Sequence, residues 1–444
     1  MMNYFNYCYQ WVLFVFRKWL FRQFTPMGLG VVAYLSISAI AALGSTQSLS
    51  HLLIFLGLAL LASAQLSRRF IHYRFSATRT LPQFGTVGEP LQYQVTIQNL
   101  TSQAQQGLKL VETFPERFPS FLEFMGIRAR YPVGGQWRVE WRQHVARQQW
   151  AIALPQDLPI LSAATKTKVK GEILPLRRGR LSFEAIALDC PDPLGLVYQR
   201  RTYPLPQSVC ILPKRYPLPP LNLPHARRYP MGETSCVSSI GEALEFRSLR
   251  DYRPGDPTNK IHWKSWAKVG RPIVKEQQDE CAAHHALVLD TFHPDAHSDL
   301  FEAAISVAIS FLTQEQPEES LLDVIFASPE ARCVTVGKGL RQRAQILETL
   351  ATLGPCTHQN LDRLAPILET RLSRLSGCFC IFIDCDETRY ALLKRLVQQD
   401  IPTKAIFLCE PTLLPQEASR DYLSPQCRTH WVAIDNMQQD LGLI

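Results

Sequence analysis

The first 80 residues contain no aspartate and no glutamate. Seven cations stand there, Arg17, Lys18, Arg22, Arg68, Arg69, Arg74 and Arg79, against a formal net charge of +8 for all 444 residues. Taking seven from eight leaves one positive charge for everything after Thr80, so no folded basic face remains for nucleic acid, and that partner is excluded. A Gly-x-Ser-x-Gly elbow and a phosphate loop are both missing, which leaves a hydrolase nucleophile or a nucleotide site without an anchor. The twelve cysteines follow no framework spacing and are expected as reduced, mostly buried thiols. Cys281 with His284 and His285, Cys356 with His358, and Cys378 with Cys380 each fall short of four zinc ligands at structural spacing.

What the acid-free flank holds instead is apolar length. Residues 27–43 and 49–66 carry no Asp, Glu, Lys or Arg and are separated by Gly44, Ser45, Thr46 and Gln47. Each reads as a membrane span, together a two-helix transmembrane hairpin. Cations flank its outer ends and none sits in the link, so both chain ends and the bulk are expected in the cytoplasm, at a plasma membrane. A secretory signal ending near Ala39-Ile40-Ala41 is the rival reading, and it leaves the second run unexplained. Residues 4–16 are aromatic-rich but too short to cross, and read as an interfacial helix on the bilayer with Arg17, Lys18 and Arg22 at the head groups.

A chain of this length implies two or three folded units. Over 75–213 the pattern is β: Leu91, Tyr93, Val95 and Ile97 alternate with polar residues, and similar alternation at Trp137, Val139, Trp141 and at Leu181, Phe183, Ala185 predicts an all-β sandwich. Residues 214–240 form a proline-rich connector. Over 281–444 strands at 286–290, 321–327, 332–336, 378–383, 404–408 and 431–434 alternate with helices at 299–313, 340–353, 361–375 and 388–399. That rhythm predicts a doubly wound, mostly parallel α/β domain.

Residues 241–280 lie between the two. Pro254-Gly255-Asp256-Pro257 is a turn, Thr258 is a candidate cap, and a short helix ends at Gly270. On it Trp263, Trp266 and Ala267 make a face expected to pack, while Lys260, Lys264 and Lys268 line another. Arg247, Arg250 and Arg253 among Glu242, Glu245, Asp251 and Asp256 suggest an internal ion-pair network.

The ordered run Phe246, Arg250, Tyr252, Pro254, Gly255, Asp256, Ile261, His262, Trp263, Lys264, Ala267, Lys275 and Glu276 resembles the hallmark of the domain of unknown function 58 family. Arg178-Gly179 and Asp192-Pro193-Leu194-Gly195-Leu196 resemble that family's sandwich-end motif. Asn259-Lys260 departs from the arginine pair usual there. The resemblance implies a von Willebrand factor A-like C-terminal domain and a functional link to MoxR-type AAA+ ATPases, and it brings no enzymatic activity.

A von Willebrand A metal site gathers hard oxygen ligands at the carboxyl edge of its sheet. Asp290 stands at the first ligand position, but Phe292 and Pro294 replace the two hydroxyls of Asp-x-Ser-x-Ser. Asp384 and Asp386, with Glu387, are the carboxylates expected to complete a weak Mg²⁺ or Ca²⁺ site with Asp290; the competing expectation is a solvated, helix-capping strand end. No cofactor is otherwise implied. The reading of the whole is a non-enzymatic, membrane-anchored binding or scaffold protein whose partners are the lipid bilayer and a MoxR-type ATPase. The alternatives are a metal-dependent enzyme using those carboxylates with His262 as base, and a cell-envelope structural protein.

Overall fold

In a computed structural model the chain divides into two compact units, 1–214 and 215–444. The structure describes residues 2–44, 48–67, 73–131, 135–219, 245–256, 258, 261–278, 283–294, 298–314, 320–328, 330–337, 340–357, 361–410 and 427–443. Most of the connector, and Glu242, Pro257, Asn259, Lys260, Cys281 and His358 among the residues singled out above, lie outside that set.

Unit 1 opens with three helices, α1 (Met2–Gln23), α2 (Pro26–Gly44) and α3 (Ser48–Ser67). Over Pro26–Leu43, α2 is long and apolar enough to cross a bilayer; the apolar part of α3, His51–Ser67, is shorter than such a span. The two pack tightly where α3 lacks a side chain: a Cβ on Gly57 would stand 2.6 Å from a Leu35 methyl.

The start of α2 is tied to a distant turn. Thr25 caps the helix, its Oγ1 accepting from Gly28 N at 3.0 Å, with Pro26 preset for the first helical position. Thr25 N donates to Leu196 O at 3.0 Å, and its hydroxyl donates to Gly195 O. Asp192, buried, shapes that turn by accepting from the backbone N–H groups of Leu194, Leu196 and Val197 at 3.0, 2.6 and 2.7 Å. Gly28 has to be glycine, because a Cβ there would meet Leu196 O at 1.9 Å.

Nine strands follow: β1 (Phe75–Thr80), β2 (Phe84–Thr86), β3 (Leu91–Asn99), β4 (Lys109–Thr113), β5 (Ala151–Ala153), β6 (Gln156–Asp157), β7 (Lys166–Pro175), β8 (Gly179–Pro191) and β9 (Tyr198–Leu212). They form a four-stranded sheet, β1-β3-β7-β5, and a mixed five-stranded sheet, β2-β9-β8-β4-β6, in which β2 and β9 run parallel. Leu91, Tyr93, Val95 and Ile97 from the first and Leu181, Phe183, Ile186 and Leu188 from the second enter one buried cluster.

Between β4 and β5 the expected strand at Trp137, Val139 and Trp141 is instead a helix. α4 (Phe121–Arg130) and α5 (Gln136–Arg147) stand there, α4 begun by a capping box in which Ser120 and Glu123 exchange side-chain to backbone bonds. Trp137 and Trp141 are four apart, a spacing that puts them on one side of a strand or of a helix alike. Val139, halfway between and 55% exposed, is the residue that separates the two periods.

Unit 2 begins with a ribbon of β10 (Glu245–Asp251) and β11 (Ile273–Gln278), paired antiparallel around α6 (Trp263–Val269). A six-stranded sheet follows, built from β12 (Ala283–Leu289), β13 (Ser320–Ser328), β14 (Glu330–Val336), β15 (Gly377–Phe382), β16 (Thr403–Cys409) and β17 (Cys427–Ala433). The helices between and after them are α7 (Asp299–Thr313), α8 (Leu340–Thr352), α9 (Ala365–Glu369), α10 (Glu387–Gln398) and α11 (Met437–Gly442). Strand order is β14-β13-β12-β15-β16-β17, parallel throughout except for β14. The order reverses between β12 and β15, where chain segments leaving the two carboxyl ends diverge and open a crevice. The expected helix at 361–375 is three short turns, because Pro366 is tolerated only in a first turn and α9 starts afresh at Ala365.

Arg79 and Glu112 form a buried pair within unit 1. Arg79 Nε and Nη2 donate to the Glu112 carboxylate at 3.2 and 2.5 Å, and the guanidinium lies 4.4 Å over the Phe183 ring. Burial pushes the Glu112 carboxyl up and Arg79 opposes it. Glu112→Ala leaves the cation buried without its carboxylate and is expected to cost about 3–5 kcal/mol. Denaturant unfolding of the detergent-solubilised chain checks this, with a loss under ~1 kcal/mol counting against it.

Candidate functional site

Two places gather the residues the sequence points to, and the first is the ribbon and its helix. Arg250 of β10 donates through both terminal nitrogens to Asp256, at 2.7 and 2.8 Å, and Arg253 N donates to the same carboxylate at 2.8 Å. Those bonds, led by Arg250, hold the Asp256 carboxyl down at about 2. Gly255 turns the chain at φ 110°. His262 N bonds Ile273 O at 2.8 Å, its ring Nδ1 lies 2.6 Å from Ser265 Oγ, and Gly270 closes α6 in the left-handed conformation. The helix starts at Trp263, five residues after Thr258, so Thr258 is not its cap. Backbone pairing sets Lys275 opposite Leu249 and Glu276 opposite Ser248, while Phe246 faces Gln277.

The expected packing face of α6 is not packed. None of its residues is buried, Trp263 is 63% exposed and Ala267 is exposed. The Trp263 ring lies on Trp266, centroids 5.1 Å apart at 20°. A helix seven residues long shields too little of its own surface to bury two indoles, and stacking them on each other is what remains. The expected ion network is present in part, as Arg250 with Asp256, while Asp251 pairs at 3.1 Å with Arg271, which the sequence reading did not include.

The second place is the crevice of the six-stranded sheet. Asp290, at the end of β12, is wholly buried, and Asp384 and Asp386 follow β15. Between them stands a guanidinium from α10 that sequence reading missed. Arg389 Nε and Nη2 each reach Asp290 Oδ2 at 2.9 Å, Nη1 reaches Asp386 Oδ2 at 2.5 Å, and Nη1 is 3.9 Å from Asp384. Asp290 also accepts from Phe292 N at 3.1 Å and Ile383 N at 3.3 Å, and Asp386 caps α10 by accepting from Arg389 N. Burial drives the Asp290 carboxyl up, against the pull of Arg389 and those amides. Burial also works against ionised Asp386, but the Arg389 amide, Thr388 and the guanidinium outweigh it and hold that carboxyl low.

These residues do not fit a divalent ion. Asp290 and Asp386 are already engaged by the Arg389 guanidinium and by backbone amides, and Phe292 and Pro294 supply no hydroxyl. Among the described residues no group of three His, Cys, Asp or Glu side chains is placed to hold a metal. His262 belongs to the ribbon, with Ser265 as its ring's neighbour. A signal for Arg389 did exist: it lies three residues after Asp386, one helical turn back toward the strand end.

Within β13 of the same sheet, Asp323 is buried and accepts from Thr335 Oγ1 at 2.6 Å and Arg371 at 2.8 Å, with His284 Nε2 at 3.0 Å. Burial opposes its ionisation, and His284, Thr335 and Arg371 together hold it low.

Residues 248–385 match the family described as "Protein of unknown function DUF58". The DUF58 match runs from the ribbon to the acidic strand end, so it takes in Asp290 and Asp384 and stops four residues short of Arg389. No curated protein matches the chain. Among solved structures, a β-glucosidase from Listeria innocua aligns at 12% identity over 32% of this chain and 16% of its own, with a TM-score of 0.15. A GH20 exo-β-N-acetylglucosaminidase from Vibrio harveyi aligns at 9% identity over 82% of this chain and 79% of its own, also at 0.15. Such scores carry no argument about fold or activity, and this chain spans about a sixth of the glucosidase.

Two outcomes are expected. Arg389→Ala strands a buried carboxylate and should destabilise unit 2 by about 3–5 kcal/mol, most of it recovered by adding Asp290→Asn, with unfolding midpoints as the readout. The Asp256 carboxyl is lower in the folded ribbon than its ordinary value near 3.8, so its contribution is complete above that value and disappears as pH falls toward about 2. Amide protection across 250–256, taken relative to the intrinsic exchange rate at each pH, should therefore fall in that window, and Asp256→Asn should abolish the transition.

Proposed function

We propose that the chain is a membrane-anchored docking protein, in which the ribbon and α6 present an exposed tryptophan to a protein partner. The carrying observation is Trp263, 63% exposed and stacked on Trp266, on a helix whose preceding turn is tied by the Arg250–Asp256 pair. A large ring left in water on an ordered support is the composition of an interface anchor, and arginine and tryptophan dominate such anchors. Lys264, Lys268 and Arg271 border it, which favours an acidic partner surface.

In this reading α2 and α3 form a two-helix hairpin in the plasma membrane with the bulk in the cytoplasm, unit 1 carries a β-sandwich, and unit 2 a von Willebrand A-like domain. The partner is a MoxR-type AAA+ ATPase, as the family resemblance implies. The metal-dependent alternative has no observation in its favour, since Arg389 occupies the carboxylate crevice.

Crosslinking in native membranes tests it. The full chain should recover such an ATPase above a control lacking unit 2, residues 215–444, and Trp263→Ala should lower recovery by roughly tenfold while leaving the unfolding midpoint unchanged. Equal recovery with Trp263→Ala removes the docking face, and no ATPase above the control removes the partner. A C-terminal topology reporter reading the exterior would transfer the protein to the envelope-structural class.

A further inference from the structure

We infer that α1 and the α4–α5 pair form one platform that lies flat on an anionic bilayer surface and sets unit 1 against it. The inference rests on the anchoring reading of α2 and adds a second, distinct membrane contact.

The two sides of α1 differ in what covers them. Tyr7, Phe14 and Lys18, spaced by seven and four residues, share one side. Tyr7 inserts among Phe118, Phe121, Phe124 and Trp141, with centroids 5.4 to 6.4 Å away, and its hydroxyl donates to Pro119 O at 3.1 Å. Phe14 meets Phe118 at 5.0 Å, and Lys18 pairs with Glu116 at 2.7 Å. The opposite side carries Phe5, Tyr9, Val12, Phe16 and Trp19, each between 50% and 67% exposed. Five large apolar side chains at helical spacing, on a helix whose other side is filled, form an outer face left at least half exposed by the described residues of unit 1.

Three observations name the occupant. First, α1 is held by α4–α5 at Tyr4 and Tyr7, by Phe118 and Glu116 just ahead of α4 at Phe14 and Lys18, and by the Phe24–Val197 bridge beyond its end, so it cannot stand upright as a further span without leaving them. Secondly, the outer face is continuous with a helix apolar enough to cross a bilayer, one residue beyond Thr25. Thirdly, cations dominate: α1 has no acid and exposes Arg17 and Arg22, and α5, whose one acid is Glu140, exposes Arg138 and Arg142 one turn apart. Aromatic and aliphatic side chains at the acyl boundary with arginines at the phosphates is the composition of an interfacial helix on anionic lipid. The apolar surface extends to α4, where Leu122, 81% exposed, follows the Phe121 that touches Tyr4.

The test uses the full chain in nanodiscs of phosphatidylcholine with phosphatidylglycerol. A photo-crosslinking diazirine residue replaces Phe16, Ile37 or Asp157 in turn, and lipid adducts are identified by mass spectrometry. Ile37 is exposed on α2 and Asp157 is exposed on β6. Adducts at 16 and 37 and none at 157 are expected. Adducts at 37 with none at 16 overturn the platform and leave the anchor standing; none at 37 removes the anchor itself. Arg138→Gln with Arg142→Gln should cut the phosphatidylglycerol share of the position-16 adducts by roughly fivefold, and an unchanged share overturns the anionic preference.

Discussion

A carboxylate with no solvent contact has to be neutralised by whatever the fold can bring to it, and the crevice of unit 2 is organised around that need. The parallel strands leave β12 and β15 side by side with their carboxyl ends diverging, which delivers Asp290 to a dry position and Asp384 and Asp386 to its rim. A metal is one way to meet that charge. Here α10 turns the Arg389 guanidinium inward, and its flat donor array serves Asp290 and Asp386 together, which an ammonium could not do with the same geometry. The helix start is positioned by the same carboxylate it pairs with, since Asp386 both caps α10 and accepts from Arg389. Strand end, helix cap and resident cation are therefore one construction.

Much of unit 2 is written in local pattern. The helix at 299–313 is found at Asp299–Thr313, and the six predicted strands are found within a few residues of their expected bounds, because buried parallel strands are continuous apolar runs bracketed by amphipathic helices. Apolar period could not reveal Arg389, whose role depends on a partner 99 positions earlier in the chain. Nor could it separate strand from helix at Trp137 and Trp141, where both periods agree.

The signature segment divides in the same way. Its turn and glycines were legible, since Pro254-Gly255-Asp256 and Gly270 act through backbone conformation and near neighbours. The fate of Trp263 was not: an i, i+3, i+4 apolar stripe says that a face exists and leaves open what covers it. In α6 the Trp263 and Ala267 positions of that stripe face out.

The junction at Thr25 bears on how the protein is made. Thr25 and Leu196, whose backbone groups meet at the root of α2, lie 171 positions apart. The ribosome delivers α2 long before it delivers the turn that receives it, so the amino-terminal helices are made while β8 and β9 have yet to be synthesised. Unit 1 is thus completed against an element already made, and its last hairpin is fitted to a helix that has been waiting for it.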